Sequence, residues 1–233
     1  MNWTGIIGAM EEEILGLKER MTETRVIRRA GMDFAAGMLE GKPVVVVRSG
    51  IGKVNAGICT QILADLFEVK AVINTGIAGG LNRAVHVGDI VLSTDLVQHD
   101  MDAVGFGYPR GQIPRMDTLS FEADETLRRL AARICREVNP EIQVFEGRIV
   151  SGDQCVSSKV VKEGLVRDFG GYATEMEGAA IAQAAYLNAL PFLVIRAISD
   201  NADDSATVDY GTFEKQAIAH SLRLVLGMLR EMV

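Results

Sequence analysis

Three acidic residues stand where a carboxylate can act on a ligand. Glu13 closes the run Glu11-Glu12-Glu13, after an apolar stretch at residues 3–8. Glu177 follows a short apolar run that ends in Glu175-Met176, and Ser199-Asp200 comes directly after the apolar run 192–198. Carboxylates gathered in one pocket suit glycosidic chemistry, where one group protonates the leaving group and another activates water. A buried carboxyl at position 200 keeps its proton near neutral pH and can serve as the acid. Glu177 admits two readings. It begins the small-residue helix Gly178-Ala179-Ala180-Ile181-Ala182, where the macrodipole favours a negative charge. It is therefore either a helix-start acid or a carboxylate aimed at ligand hydroxyls. On these residues alone, all three acids also fit surface or capping roles.

Other chemistries find less support. Ser49-Gly50-Ile51-Gly52-Lys53-Val54 approaches a phosphate loop, but Val47 stands at the first glycine position and Val54 follows the lysine. That leaves no hydroxyl for magnesium. The dinucleotide fingerprint fails as well, because Asn55 replaces its third glycine. What remains is a tight turn that lets backbone approach a ligand closely. His86, His99 and His220 form no His-Glu-x-x-His pair, and Asp200-Asn201-Ala202-Asp203-Asp204 lacks the glycine of a calcium loop. There is no Gly-x-Ser-x-Gly elbow. Cys59, Cys135 and Cys155 are odd in number and far apart, without zinc spacing. Neither a metal nor a cofactor is expected, and a reducing cytosol is the simplest setting.

The elements that must position the acids alternate between strand and helix. Strands are expected at 3–8, at 26–30 and 34–39 about the turn Gly31-Met32-Asp33, and at 44–47, where four consecutive valines mark a strand covered on both faces. Further strands are expected at 71–75, closed by a glycine turn Gly76-Ile77-Ala78-Gly79-Gly80, and at 89–94, 144–150 and 192–198. Helices are expected around Ile14, Leu15 and Leu17, from the Gly52 turn to about 66, at 122–138, at 158–169, after Glu177, and from about Tyr210 onward. The segment 98–114 has no period, and a long irregular loop inside a compact domain is usually functional. This alternation predicts one α/β domain over 1–233, with a largely parallel sheet, some antiparallel strands near the start, and helices around it. Ligands of such sheets bind beyond the carboxyl ends of the strands. Glu13, Ile51, Gly79, Val156, Glu177 and Asp200 each follow an expected strand end, so they should converge.

Composition sets the outer bounds. The 233 residues carry a net charge of −7 with acids spread along the chain, which argues against nucleic acid and anionic membrane as partners. No run is long and apolar enough to cross a bilayer, and the first residues enter a strand without a signal peptide. The expected location is the cytoplasm.

Five motifs occur in order: Gly5-Ile6-Ile7-Gly8-Ala9-Met10-Glu11-Glu12-Glu13, Ser49-Gly50-Ile51-Gly52-Lys53-Val54-Asn55-Ala56, Asn74-Thr75-Gly76-Ile77-Ala78-Gly79-Gly80, Glu175-Met176-Glu177-Gly178 and Arg196-Ala197-Ile198-Ser199-Asp200. Together they resemble the 5′-methylthioadenosine/S-adenosylhomocysteine nucleosidases of the nucleoside phosphorylase/hydrolase superfamily, over nearly the whole chain. The resemblance implies a three-layer α/β/α fold around a mixed, partly closed sheet, a homodimer, and cleavage of the N-glycosidic bond to adenine and a 5′-substituted ribose. Such an enzyme serves methionine salvage and disposal of adenosylmethionine by-products. The resemblance makes Glu13 the base for water, Asp200 the acid for adenine N7 with Ser199 beside it, and Glu177 the acceptor of the ribose hydroxyls, with Met176 packed on the sugar. Arg196 lies near Glu13 and the water, Gly79 near the same water, and Val156 at the adenine edge. Met10, Ile51 and Tyr210 wall the 5′ substituent, together with Ala103, Phe106 and Pro114 of a neighbouring subunit. Two positions depart from the pattern: Ile77 replaces a frequent serine, and Cys155 stands where many members stack a phenylalanine on adenine. Both bear on substrate preference, and cleavage of aminodeoxyfutalosine is a related activity. A phosphate-dependent phosphorylase and a silent nucleoside-binding protein are the competing readings.

Overall fold

The computed structural model describes residues 2–203 and 206–232, apart from the side chains of 206–210 and 212. In chain order it contains β1 (Thr4–Gly8), α1 (Glu11–Lys18), β2 (Thr22–Arg29), β3 (Met32–Leu39), β4 (Lys42–Arg48), α2 (Lys53–Phe67), β5 (Ala71–Gly80) and β6 (Ile90–Gln98). Then come β7 (Phe121–Glu122), α3 (Glu125–Val138), β8 (Val144–Ser151), α4 (Lys159–Phe169), β9 (Ala173–Glu175), α5 (Gly178–Leu187), β10 (Phe192–Asp200) and α6 (Ala206–Glu231).

The strands lie in the order β10-β6-β8-β9-β5-β1-β4-β3-β2, with β7 on β6. β10 also pairs with β5, so β5, β10, β6, β8 and β9 close into a ring. From that ring β1 and β4 extend in parallel, and the β2–β3 hairpin ends the sheet antiparallel. α2 packs on α5 on one side, while α6 packs on α1 and α3 on the other. The result is the expected three-layer arrangement around a mixed, closed sheet.

The valine run explains the middle of the extension. Val44, Val45, Val46 and Val47 are fully buried in β4 between β1 and β3, because helices cover both faces and no alternation is needed. β2 is the free edge and is almost entirely exposed. Arg25, Arg28 and Arg29 stand on it, and edge charges of this kind discourage pairing with another chain. Among the described residues, no helix is long and apolar enough to cross a membrane.

Three local expectations are corrected. Residues 76–80 do not turn: β5 runs on through Gly80, paired with β10 at Gly76–Gly79 and with β9 at Gly79 and Gly80. Glycine here gives room for neighbouring side chains rather than a bend. The strand expected to end at 198 runs on through Ser199 to Asp200, its last residue, and the register slips between Ile198 and Asp200. Such a bulge re-aims the side chain that follows it. The helix expected from 122 starts at Glu125, because Phe121 and Glu122 pair with β6 and Asp124 caps the helix through Leu127 N (2.8 Å). In the 98–114 segment the chain forms a single 3₁₀ turn, Val104–Phe106.

Candidate active site

Glu13 is the third residue of α1, and its side chain folds back over the helix start. Oε2 accepts hydrogen bonds from Ala9 N (2.7 Å) and Met10 N (2.9 Å), and Oε1 accepts one from Ile77 N (3.1 Å). The bond from Met10 N is the N-cap half of a capping box, which pairs a donor that the helix start leaves free, and the bond from Ala9 N extends the same grip to the residue before it. The third ties α1 to β5. The carboxylate is buried, and burial pushes its pKa up; the Arg196 charge and the three N–H bonds pull the other way without cancelling it. Gly76 makes the approach possible, since a Cβ there would lie 2.5 Å from Glu13 Oε1.

Glu175 and Glu177 lie at the start of α5. Glu175 Oε2 accepts from Glu177 N (3.1 Å), Gly178 N (2.7 Å) and Arg196 Nη2, while its Oε1 accepts from Ser151 Oγ. Burial alone would raise its pKa, but Arg196 and these donors outweigh that and hold it below the usual value. Arg196 is buried and also donates to Asn74 Oδ1 (2.5 Å); burial works against its charge, and Glu175, Glu177 and Glu13 keep it protonated. Glu177 occupies the N-cap position, yet its side chain makes no capping bond. It points away and accepts from Gly52 N (2.8 Å). Burial, then the adjacent charge of Glu175, raises its pKa to about 7 against the pull of Arg196 and the Gly52 N–H.

Asp200 reaches the same space from β10. Its Oδ2 accepts from Ser199 Oγ (2.8 Å) and its Oδ1 from Ala202 N (2.8 Å). Gly79 lies against it: a Cβ there would be 3.0 Å from Asp200 Oδ1 and 2.7 Å from Ala202 Cβ.

These groups border one cavity of about 540 Å³. Glu13, Asp200, Glu177, Met176, Val156, Gly79, Ile51, Met10, Ser199, Cys155 and Ile77 all line it. Arg196 sits behind that wall, joined to Glu175. Ile77 takes part through its backbone N–H, and Cys155 is exposed at the rim. Ala103, Phe106 and Pro114 do not border the cavity: Ala103 is buried, whereas Phe106 is 88% exposed and Pro114 is exposed. The Tyr210 side chain lies outside the described residues. Sequence reasoning missed Glu175 as a site residue, although it lines the cavity and organises the charges around it. Its spacing from Glu177 was the available signal, together with a lone arginine two elements later.

A second set of bonds fixes the Gly52 turn that meets Glu177. Gly50 and Gly52 have φ of +85° and +97°, the left-handed region that suits glycine. Next to them Lys53 N donates to Asp153 Oδ1 (2.8 Å), and Lys53 Nζ donates to Asp100 Oδ1 (2.6 Å) and Gln98 Oε1 (3.0 Å). Asp153 N in turn donates to Asp100 Oδ2 (3.0 Å). One lysine thus joins the turn after β4 to the segments after β6 and β8.

A closed mixed sheet with a carboxylate-lined cavity at its rim defines the class, and the family model described as the phosphorylase superfamily matches residues 4–230. A relative from Bacillus cereus (strain B4264), a 5′-methylthioadenosine/S-adenosylhomocysteine nucleosidase, is 40% identical over 97% of this chain and 98% of its own. The crystal structure of the nucleosidase of that name from Neisseria meningitidis, in complex with methylthio-immucillin-A, superposes with a TM-score of 0.95 at 38% identity, covering 100% of both chains. Futalosine hydrolase of Helicobacter pylori strain 26695 gives a TM-score of 0.94 at 36% identity, over 99% of this chain and 98% of that one. The chain belongs to the 5′-methylthioadenosine/S-adenosylhomocysteine nucleosidase family.

Proposed function

We propose that the protein hydrolyses the N-glycosidic bond of 5′-thio-substituted adenosines, 5′-methylthioadenosine and S-adenosylhomocysteine first among them, to adenine and the 5′-substituted ribose. The observation that carries this reading is the placement of Glu13, Glu177 and Asp200 around one cavity, each held by backbone N–H groups. Departure of the base generates an oxocarbenium-like sugar. Asp200 gives its proton to the leaving adenine, and the carboxylate left behind is met by Ser199 Oγ–H and Ala202 N–H. Glu13 takes a proton from the attacking water; its raised pKa brings it closer to the range in which a general base works at neutral pH. Glu177 accepts the ribose hydroxyls and fixes the ring, while its charge stands near the developing cation. Arg196 holds Glu175, and through it the start of α5, in place.

A homodimer belongs to the same proposal. Phe106 and Val104 of the 98–114 segment are exposed, as are Val54 and Ile58 on α2 next to Ile51 of the cavity wall. A neighbouring copy that brings Phe106, Pro114 and Ala103 to this wall would cover both sets.

The deciding experiment mixes the protein with methylthioadenosine in phosphate-free buffer. Adenine release supports hydrolysis; release that requires phosphate and yields a ribose 1-phosphate replaces it with the phosphorylase reading. Tight binding without turnover would establish a silent binding protein. The similarity to futalosine hydrolase favours a wider 5′ scope, read by assaying aminodeoxyfutalosine and 5′-deoxyadenosine beside the two thio-nucleosides.

A further inference from the structure

A second cavity of about 480 Å³ adjoins the first, sharing Ala9, Met10 and Ile51 as a common wall. Its far side differs in chemistry. Arg48, at the end of β4, and Glu11 and Glu12, at the start of α1, line it together with Asn55. Lys18 holds Glu11 through two bonds (2.9 and 3.2 Å), which leaves Glu11 Oε2 4.0 Å from Arg48 Nε, beyond hydrogen-bond reach. The Arg48 guanidinium therefore makes no hydrogen bond among the described residues; it keeps a long ion pair with Glu11, and its side chain is 56% exposed where it lines the cavity. Asn55 Nδ2 bonds Ile51 O (2.7 Å) and keeps the dividing wall in shape.

We propose that this second cavity is a subsite for an α-amino-carboxylate carried on the 5′ sulfur, with Arg48 receiving the carboxylate and Glu12 the ammonium. The proposal rests on the nucleosidase reading and adds the substrate's tail to it. In that reading Met10 and Ile51 stand around the 5′ substituent. A methyl group ends at that wall, whereas a homocysteine chain runs on from the same carbon through one further methylene to an α-carbon that bears an ammonium and a carboxylate. A guanidinium binds a carboxylate through two parallel bonds. The acids beside Arg48 disfavour a simple anion such as phosphate and suit a group that bears both charges.

The test compares kcat/KM for S-adenosylhomocysteine and methylthioadenosine in the wild type, Arg48→Ala, Arg48→Lys and Glu12→Gln. Loss of one charge-assisted contact is expected to lower the ratio of the first substrate to the second by about tenfold in Arg48→Ala, with part of it restored by lysine. Glu12→Gln should move the ratio the same way by a smaller factor, and it reads the ratio independently if Arg48→Ala does not fold. A ratio within twofold of wild type in both Arg48→Ala and Glu12→Gln overturns the subsite. A wild type that cleaves neither nucleoside refutes the nucleosidase reading instead. Calorimetric affinities for the two ligands then decide the subsite: a loss in Arg48→Ala specific to the tailed ligand supports it, and equal affinities overturn it.

Discussion

Glu175 caps the helix that Glu177 begins. The residue at the N-cap position is Glu177, but the N–H groups of Glu177 and Gly178 are met by Glu175 Oε2. The dipole of α5 is thus answered by one acid, and the other is released toward the cavity. The division also sets their charges. Glu175, joined to Arg196, is held ionised, and its charge helps raise Glu177 to about 7.

Removing the capping acid should therefore act in two places. Glu175→Gln leaves Arg196 buried without its carboxylate, and breaking a buried pair costs about 3–5 kcal/mol. Denaturant unfolding at pH 7 measures that loss. The same variant removes a like charge from Glu177, so the Glu177 titration should move below 7, visible as a downward shift in the pH dependence of kcat/KM.

Glu177 itself is expected to weaken the unliganded fold at high pH. Its folded pKa of about 7 lies above the ordinary 4.5, so the folded state holds a proton that the unfolded state releases between these values. Stability from this group is present below about 4.5, falls as pH rises, and is gone above about 7. Glu177→Gln should then be as stable as wild type near pH 4 and more stable near pH 8, by at most about 3 kcal/mol. Unfolding free energies at the two pH values check the sign. Catalysis should suffer in the same variant, which separates stability from function.

Asp200→Asn keeps an oxygen for the Ala202 N–H and loses the transferable proton. Folding and affinity for methylthioadenosine should persist, while turnover drops by about 10²–10⁴-fold, the range of general acid catalysis. Single-turnover adenine release beside calorimetric binding distinguishes the two. Near-normal turnover would remove Asp200 from the acid role.

The order of elements was legible because periodicity survives in the chain: the buried valines of β4, the apolar face of α3, and the strand–helix alternation that implied a site at the strand rim. The local meaning of glycine was not. Residues 76–80 carry the composition of a turn, yet they are held extended between β10 and β9. Their missing side chains leave space for Glu13 and Asp200, a tertiary reason that no local pattern records. The direction of Asp200 depends on a register slip in β10, and the capping exchange between Glu175 and Glu177 depends on Arg196 arriving from another strand.

That reading of glycine is testable at Gly76. An alanine Cβ would stand 2.5 Å from Glu13 Oε1, 3.0 Å from its Cδ and 3.2 Å from Arg196 Nη1. Glu13 cannot swing away without giving up bonds to Ala9, Met10 and Ile77. Gly76→Ala should displace the carboxylate and cut kcat by more than about tenfold, since small misplacements of reacting groups are costly. Circular dichroism should remain native, and KM should change less than kcat.

Lys53 offers the last test, because it touches no cavity wall and still governs one. Its Nζ bonds Asp100 and Gln98, its N–H bonds Asp153, and the preceding N–H of Gly52 reaches Glu177. Burial would raise the Asp100 pKa, but Lys53 and the Asp153 N–H outweigh that and lower it, so the Asp100 carboxylate is held ionised beside the Lys53 Nζ. Lys53→Met keeps the aliphatic stem and removes the charge. The segments after β6 and β8 then lose their common anchor, and Gly52 is no longer held toward Glu177. If Glu177 binds the ribose, the variant should raise KM by about tenfold, the worth of one charge-assisted bond, with a smaller effect on kcat. Lys53→Arg should restore most of that loss. A general loss of stability would lower the fraction of active enzyme without moving KM, so unchanged KM in Lys53→Met would confine the lysine to a structural role.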